Sequence, residues 1–180
     1  MNHNNFEMKT IFLIGMMGTG KTTIGKKLAK RLGFAFYDLD KMIEKKNQKS
    51  ITEIFSDLGE PFFREQEAKT LKKTPLLSSV VATGGGIIEN EVNRNWIKQF
   101  GIAVLLEADD VTILSRLRND STRPLIQNNP EQIIHELKEK RYQDYHDCAH
   151  FVIQTNDKSE DEIVKEIVSE ISSKVQKYFV

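Results

Sequence analysis

The chain has a single cysteine, Cys148, so no disulfide can form within it. A lone cysteine reads first as a small buried hydrophobe rather than a nucleophile. Neither charge is in excess: 26 Lys and Arg face 26 Asp and Glu, for a formal net charge of zero. That balance argues against a nucleic-acid backbone or an anionic membrane as the main partner, and any positive patch must be local. No long hydrophobic run exists either. The apolar stretch from Ile11 to Met17 is too short to span a bilayer and is interrupted by Gly15. The opening MNHNNFEMKT contains no apolar stretch before the first predicted strand. Internal repeats and low-complexity tracts are absent. The expectation is a cytoplasmic protein, a monomer, with no nucleic acid or membrane as partner.

What is present fits one globular domain. The chain has 180 residues, 39% hydrophobic and 29% charged, enough for one core and too few for two comfortable ones. Strands are predicted at Thr10–Ile14, Phe34–Asp38, Val80–Thr83, Ile102–Leu106 and Phe151–Ile153. Helices are predicted between them: Lys21–Leu32, Met42–Phe63 with breaks, Pro61–Leu71, Asn90–Phe100, Asp110–Leu117, Glu131–Tyr145 and Glu160–Lys177. Ile24, Leu28 and Leu32 recur at helical spacing, as do Ile163, Ile167 and Ile171. Gly33 is a stop signal, Ser50 with Glu53 a capping box, and Gly59 an interruption. Short Val- and Ile-rich strands alternating with helices build a parallel sheet covered on both faces. The expected fold class is α/β, a three-layer α/β/α architecture on a five-stranded parallel sheet. One domain covers 1–180, with an excursion at about 41–77 and a polar loop, read as a lid, at about 118–129.

The sharpest motif is GMMGTGKT, Gly15 to Thr22. It has the spacing of a phosphate-binding loop, with a strand before it and a helix after it. Glycines let backbone N–H groups curl toward phosphates, and the helix N-terminus adds a favourable dipole. Lys21 is placed to reach the β- and γ-phosphates of ATP, and the Thr22 hydroxyl to ligate Mg²⁺. Gly15, Gly18, Thr19, Gly20, Lys21, Thr22 and Thr23 are the candidate nucleotide contacts. The third strand, by contrast, runs into TGGG with no acidic residue at its end. Asp38 or Asp40 of the neighbouring strand can supply that carboxylate. A motor or hydrolase is therefore disfavoured against a metabolite kinase.

Several residues have a plain reading beside the functional one. Asp38 and Asp40 point the same way if extended, suiting a metal and a nucleophilic hydroxyl, yet either can simply cap a helix. Arg64 can grip an anion or merely pair with Glu60 or Glu67 on a helix surface. Arg141 lies among Lys138, Glu139 and Lys140, an ordinary charged face. Gly84, Gly85 and Gly86 are costly to order and require a close backbone approach or an unusual turn. His135, His146 and His150 lack metal-site spacing, and Trp96 reads as a packing residue.

The set GMMGTGKTTIG, FYDLD, GEPFFREQE, TGGG, STRPLI and KRYQDY, in this order along nearly the whole chain, resembles the shikimate kinase family. These are small P-loop proteins of the nucleoside-monophosphate-kinase type. The resemblance implies ATP- and Mg²⁺-dependent phosphorylation of the 3-hydroxyl of shikimate, on the path to chorismate and aromatic amino acids. It implies that Asp40 contacts the acceptor hydroxyl, that Asp38 lies near Mg²⁺, and that Arg64 and Arg141 grip the substrate carboxylate. It further implies a backbone wall at Gly84, Gly85 and Gly86 and a lid arginine at Arg123. Arg116 resembles the arginine on the nucleotide side of that lid. Thr155 to Lys158 falls at the adenine-side loop, and Phe55 and Phe63 at the substrate pocket. Departures are Thr22 for the commoner Ser, Met17 for a frequent Pro, and Lys158 for a common Arg. Two readings stay beside this one: a kinase of gluconate or a nucleoside monophosphate, and a nucleotide-binding regulator or assembly ATPase.

Overall fold

The computed structural model describes residues 8–118 and 129–173. Strand β1 (Thr10–Ile14) is followed by α1 (Lys21–Leu32), β2 (Ala35–Asp38), α2 (Leu39–Asn47) and α3 (Ile51–Leu71). Then come β3 (Ser79–Ala82), a 3-10 turn (Ile87–Glu89), α4 (Glu91–Phe100), β4 (Gly101–Glu107) and α5 (Asp110–Leu117). The described chain closes with α6 (Pro130–Cys148), β5 (Phe151–Gln154) and α7 (Glu160–Ser173). The five strands form one sheet in the order β2-β3-β1-β4-β5, every neighbouring pair parallel. This is the expected three-layer α/β/α fold.

The sequence explains why the sheet is covered on both faces. All residues of β1 and β3 are buried, so neither strand alternates apolar with polar. Successive side chains go to opposite layers. Ile11, Leu13, Val80 and Val104 join Ile24 and Leu28 of α1 and the stripe Ile163, Ile167, Ile171 of α7. Phe12, Ile14, Val81 and Leu105 join Ile97 of α4, Ile113 of α5 and Ile134 of α6. Only the edge strand β5 alternates, with Val152 turned to solvent. A third, smaller cluster of Ile43, Ile54 and Phe63 holds α2 to α3.

Local signals work as written. Gly33 takes a left-handed conformation and its N–H donates to the Ala29 carbonyl, ending α1. Ser50 and Glu53 form a complete capping box at the start of α3. Gly59 is non-helical (φ 79°, ψ 166°) and splits α3 into two segments, with Pro61 in the first turn of the second.

One local expectation is corrected. Asp38 and Asp40 do not extend side by side from a strand. Asp38 ends β2 and is the N-cap of α2, its Oδ1 accepting from the Lys41 N–H at 3.2 Å, so the helix begins at Leu39 rather than Met42. Asp40 lies in the first helical turn. The cap wins because an Asp at that position satisfies an otherwise orphaned helix donor. Elsewhere boundaries move slightly: α6 continues to Cys148 and β4 begins at Gly101.

Candidate active site

In an open parallel sheet, ligands bind beyond the carboxyl ends of the strands, where neighbouring connections diverge. Here β1 leads into GMMGTGKT between β3 and β4. The register sets Asp38, Leu13 and Ala82 level across three strands, which brings the end of β2 beside the loop. The consequence is a cavity of about 460 Å³ lined by Gly18, Thr19, Gly20, Lys21, Thr22, Thr23, Asp38, Asp40, Gly85, Arg116 and Lys158, among others.

The phosphate side is built from backbone. Gly15 has a φ of 138°, and a Cβ there would collide with the Leu106 carbonyl oxygen, so only glycine fits. Helix α1 has no side-chain cap and no acidic residue in its first turn. Its first N–H groups thus meet the cavity with the dipole uncompensated, as an anion site requires. Lys21 Nζ donates to the carbonyls of Gly15 at 2.7 Å and Met16 at 2.8 Å, which folds the side chain along the loop. Thr19 turns its hydroxyl inward, to the Met16 carbonyl at 2.8 Å, and braces the loop. Arg116 clips the loop to the segment after β5. It donates to the Gly18 carbonyl (3.2 Å), the Thr155 hydroxyl (3.0 Å) and the Thr155 carbonyl (2.9 Å). Lys158 pairs with Glu166 at 2.5 Å.

Thr22 Oγ1 donates to Asp38 Oδ2 at 2.7 Å. Both line the cavity beside Lys21. Two adjacent hard oxygens at a phosphate loop suit Mg²⁺, which keeps several waters and takes few protein ligands. Among the described residues no group of three or more His, Cys, Asp or Glu could hold a metal by itself.

The acceptor side is built from side chains of distant segments. The Thr83 hydroxyl donates to the Leu13 carbonyl at 2.9 Å and starts the glycine turn at the end of β3. At Gly84 a Cβ would lie 2.5 Å from Glu67 Oε1 and 3.0 Å from Asp40 Oδ1, so two carboxyl groups converge on this glycine. At Gly86 a Cβ would run into the Arg64 guanidinium. Gly85 is anchored by the Tyr145 hydroxyl, which donates to its carbonyl at 2.5 Å. Burial pushes the Tyr145 phenol above its ordinary range, so it stays a proton donor.

Arg64 and Arg141 do converge. Arg141 is only 7% exposed, despite its charged sequence neighbours. Both arginines reach Glu89 at the end of the 3-10 turn, at 3.8 Å from Arg64 Nη2 and 2.6 Å from Arg141 Nη2. Arg64 also makes both plain pairings, with Glu60 at 2.9 Å and Glu67 at 3.0 Å, and lies over the Phe63 ring at 5.4 Å. Phe63 is buried between α2 and α3 and packs at a tilt on Phe55, with ring centroids 4.9 Å apart and 40° between the planes.

Sequence reasoning assigned no role at the site to Glu89 or Tyr145, and none to Glu67 beyond a surface pairing with Arg64. Glu67 was read only as a possible surface partner of Arg64, three residues before it, the spacing at which helical side chains meet. Its side chain is 1% exposed. Burial raises its pKa from 4.5 to about 7, against the opposing pull of the Arg64 charge and hydrogen bond and with a smaller push from Asp40. Glu89 follows the triple glycine, but nothing in sequence linked it to residues 64 and 141. Arg123 lies outside the described residues, as does 119–128 of the expected lid.

The remaining candidates take ordinary places. Cys148 is buried, and burial lifts its thiol pKa to about 11, which makes it a poor nucleophile. His135 pairs with Asp110 and Glu139, and His146 with Glu107. Trp96 packs against Phe100 with centroids 4.4 Å apart.

Comparison with known proteins agrees with this geometry. The sequence profile described as "Shikimate kinase" matches residues 17–172. The shikimate kinase of Bacillus cereus (strain AH187) is 43% identical over 169 residues, which span 93% of this chain and 99% of the relative. That of Thermodesulfovibrio yellowstonii is 44% identical over 165 residues, 91% and 95% of the two chains. A solved shikimate kinase from Acinetobacter baumannii, in complex with shikimate, superposes with a TM-score of 0.90 at 40% identity, covering 93% of this chain and 94% of that one. With the phosphate loop and the sheet order in agreement, this chain belongs to the shikimate kinase family.

Proposed function

We propose that the chain is a shikimate kinase, transferring the γ-phosphate of ATP to the 3-hydroxyl of shikimate to give shikimate 3-phosphate and ADP. One observation carries the assignment of roles. Asp40 lines the phosphate-loop cavity and also faces Gly84, on the side where Arg64 and Arg141 converge. A small ring held by its carboxylate at the arginines sets a hydroxyl beside Asp40 and toward the loop. Guanidinium forks suit an anionic group such as a carboxylate better than an uncharged polyol.

The chemistry needs positioning and charge neutralisation more than strong base catalysis. Backbone N–H groups of the loop and of the first turn of α1 hold the phosphates. Lys21 leaves its two carbonyl partners for the β- and γ-phosphate oxygens. Thr22 and Asp38 would hold Mg²⁺, directly or through water, and the ion would supply charge neutralisation at the phosphates. Asp40 orients the acceptor hydroxyl and takes its proton as the new O–P bond forms. The bond from the γ-phosphorus to the bridging oxygen breaks, and ADP leaves with that oxygen. Gly84, Gly85 and Gly86 let the substrate ring approach backbone. Arg123 is assigned to the transferring phosphate, and Arg116 and Lys158 to the nucleotide side. We assign the enzyme to the cytoplasm, where its donor ATP is, and to a monomeric state.

The test measures ADP formation with ATP and Mg²⁺ and, in turn, shikimate, gluconate, a nucleoside monophosphate panel or no acceptor. Turnover is expected with shikimate alone. Asp40→Asn is expected to lower kcat by about 10²-fold or more. Turnover with another acceptor and none with shikimate overturns the assignment. ATP binding with no acceptor-dependent turnover points to a regulator instead.

A further inference from the structure

The arginine clamp is already occupied by a carboxylate of the chain itself. Glu89 Oε1 accepts from Arg141 Nε at 3.0 Å and Nη2 at 2.6 Å, and lies 3.8 Å from Arg64 Nη2. Its Oε2 accepts from Lys140 Nζ at 2.7 Å. Two guanidinium groups and an ammonium around one carboxylate are the surroundings that an entering carboxylate seeks.

Charge counting sharpens the point. Arg64, Arg141 and Lys140 bring three cations, and Glu60, Glu67 and Glu89 bring three carboxyl groups. An anion entering such a cluster gains little unless an internal carboxylate gives way, because like charges at close range repel. Glu67 cannot leave: it is buried under Gly84. Glu60 accepts from Arg64 Nε at 3.1 Å and Nη2 at 2.9 Å and, among the described residues, pairs with that arginine alone. Glu89 alone reaches both arginines, and its side chain is 26% exposed. Lys140, 65% exposed, can follow it toward solvent and keep its charge paired.

We propose that Glu89 is an internal competitor for the substrate carboxylate: it holds Arg64 and Arg141 together and is exchanged for the carboxylate of shikimate on binding. The proposal rests on the shikimate reading and adds a specificity rule to it. A carboxylate repays the displacement of Glu89 by restoring the same bonds to the arginines. A neutral analogue brings no charge against Glu89 and need not displace it. Glu89 thereby raises the KM for shikimate and narrows the margin between charged and uncharged rings.

The experiment compares the unaltered enzyme with Glu89→Gln. The KM for shikimate and the inhibition constant of its neutral carboxamide are measured, with the KM for ATP as a check on folding. The expected result is a fall in shikimate KM of about fivefold, the scale of one partly exposed charge pair, and a change below about twofold for the carboxamide. Glu89→Ala, which also removes the charge, carries the same reading if the amide disturbs the turn. An unchanged or raised shikimate KM, or an equal gain for both ligands, overturns the proposal and leaves Glu89 a support for Arg141. Absence of shikimate-dependent turnover in the unaltered enzyme is a different failure, that of the functional assignment itself.

Discussion

The two halves of the cleft are made by different means. The phosphate half comes from one contiguous stretch, Gly15 to Thr23, and offers chiefly backbone donors and a helix terminus. The acceptor half draws on α3, the glycine turn, the 3-10 turn and α6, and offers charged side chains. Phosphate is common to every P-loop protein, so its site can be a fixed local device. The acceptor differs between kinases of one fold, so its site is assembled from positions that can vary independently. Local construction also means independence from neighbours: few single substitutions outside the loop should disturb it. The acceptor half is coupled, because each arginine there is shared among several carboxylates.

The largest effect is expected on the phosphate half. Lys21→Ala removes the loop's own side-chain cation, the one assigned to the β- and γ-phosphates, and should lower kcat by about 10³-fold, the loss typical of a charge aimed at a transition state. The shikimate Kd, read by calorimetry without nucleotide, should stay within about twofold if the halves are independent. A large change in shikimate affinity would break the comparison.

Next in size is Arg141→Lys. Lysine keeps the charge but loses the fork that spans Glu89 through Nε and Nη2. The KM for shikimate should rise about tenfold or more while the KM for ATP moves little. Equal changes in both would mean that Arg141 supports the whole cleft rather than the acceptor.

The same contrast decides what could be read from sequence. Strands, helices and their order were legible because each is a local pattern: apolar runs, the 3.6-residue stripe of Ile163, Ile167 and Ile171, the cap at Gly33 and the box at Ser50. The phosphate loop was legible for the same reason. Asp38 as cap was legible only as one of two open readings, because strand and helix compete over two residues and the Lys41 N–H settles the matter. Arg141 looked like a surface charge among charges, since burial depends on where α6 packs. Glu89 was illegible: it meets Arg64 and Arg141, 25 and 52 positions away in sequence, only because the glycine turn lets the 3-10 turn approach α3 and α6.

Glu67 sharpens the comparison through pH. Its pKa is raised from 4.5 to about 7 in the folded chain. Between these values the folded state holds the proton more tightly than the unfolded state does. Stability from this group is therefore fully present below about pH 4.5, lost as pH rises toward about 7, and flat beyond. The ceiling on that loss is about 3 kcal/mol. Glu67→Gln cannot ionise, so the difference in unfolding free energy between variant and parent should move in the variant's favour from pH 5 to pH 8, measured by urea denaturation. A constant difference would show that Glu67 keeps an ordinary pKa, and the acceptor half would lose its buried carboxyl acid.

The smallest effect belongs to Lys158, at the edge of the phosphate half. Its Nζ pairs with Glu166, and both side chains are about one-third exposed (33% and 38%). A pair that wet contributes about 0–1 kcal/mol. Lysine also lacks the flat guanidinium that stacks on a base. Lys158→Ala should therefore raise the KM for ATP by about twofold, and Lys158→Arg should lower it slightly by adding a stacking plane, both read from initial rates at saturating shikimate. A tenfold rise for alanine would mean that the nucleotide half depends on a side chain after β5 as much as on its own backbone. The division between a local phosphate site and an assembled acceptor site would then hold for the phosphates alone, and not for the base.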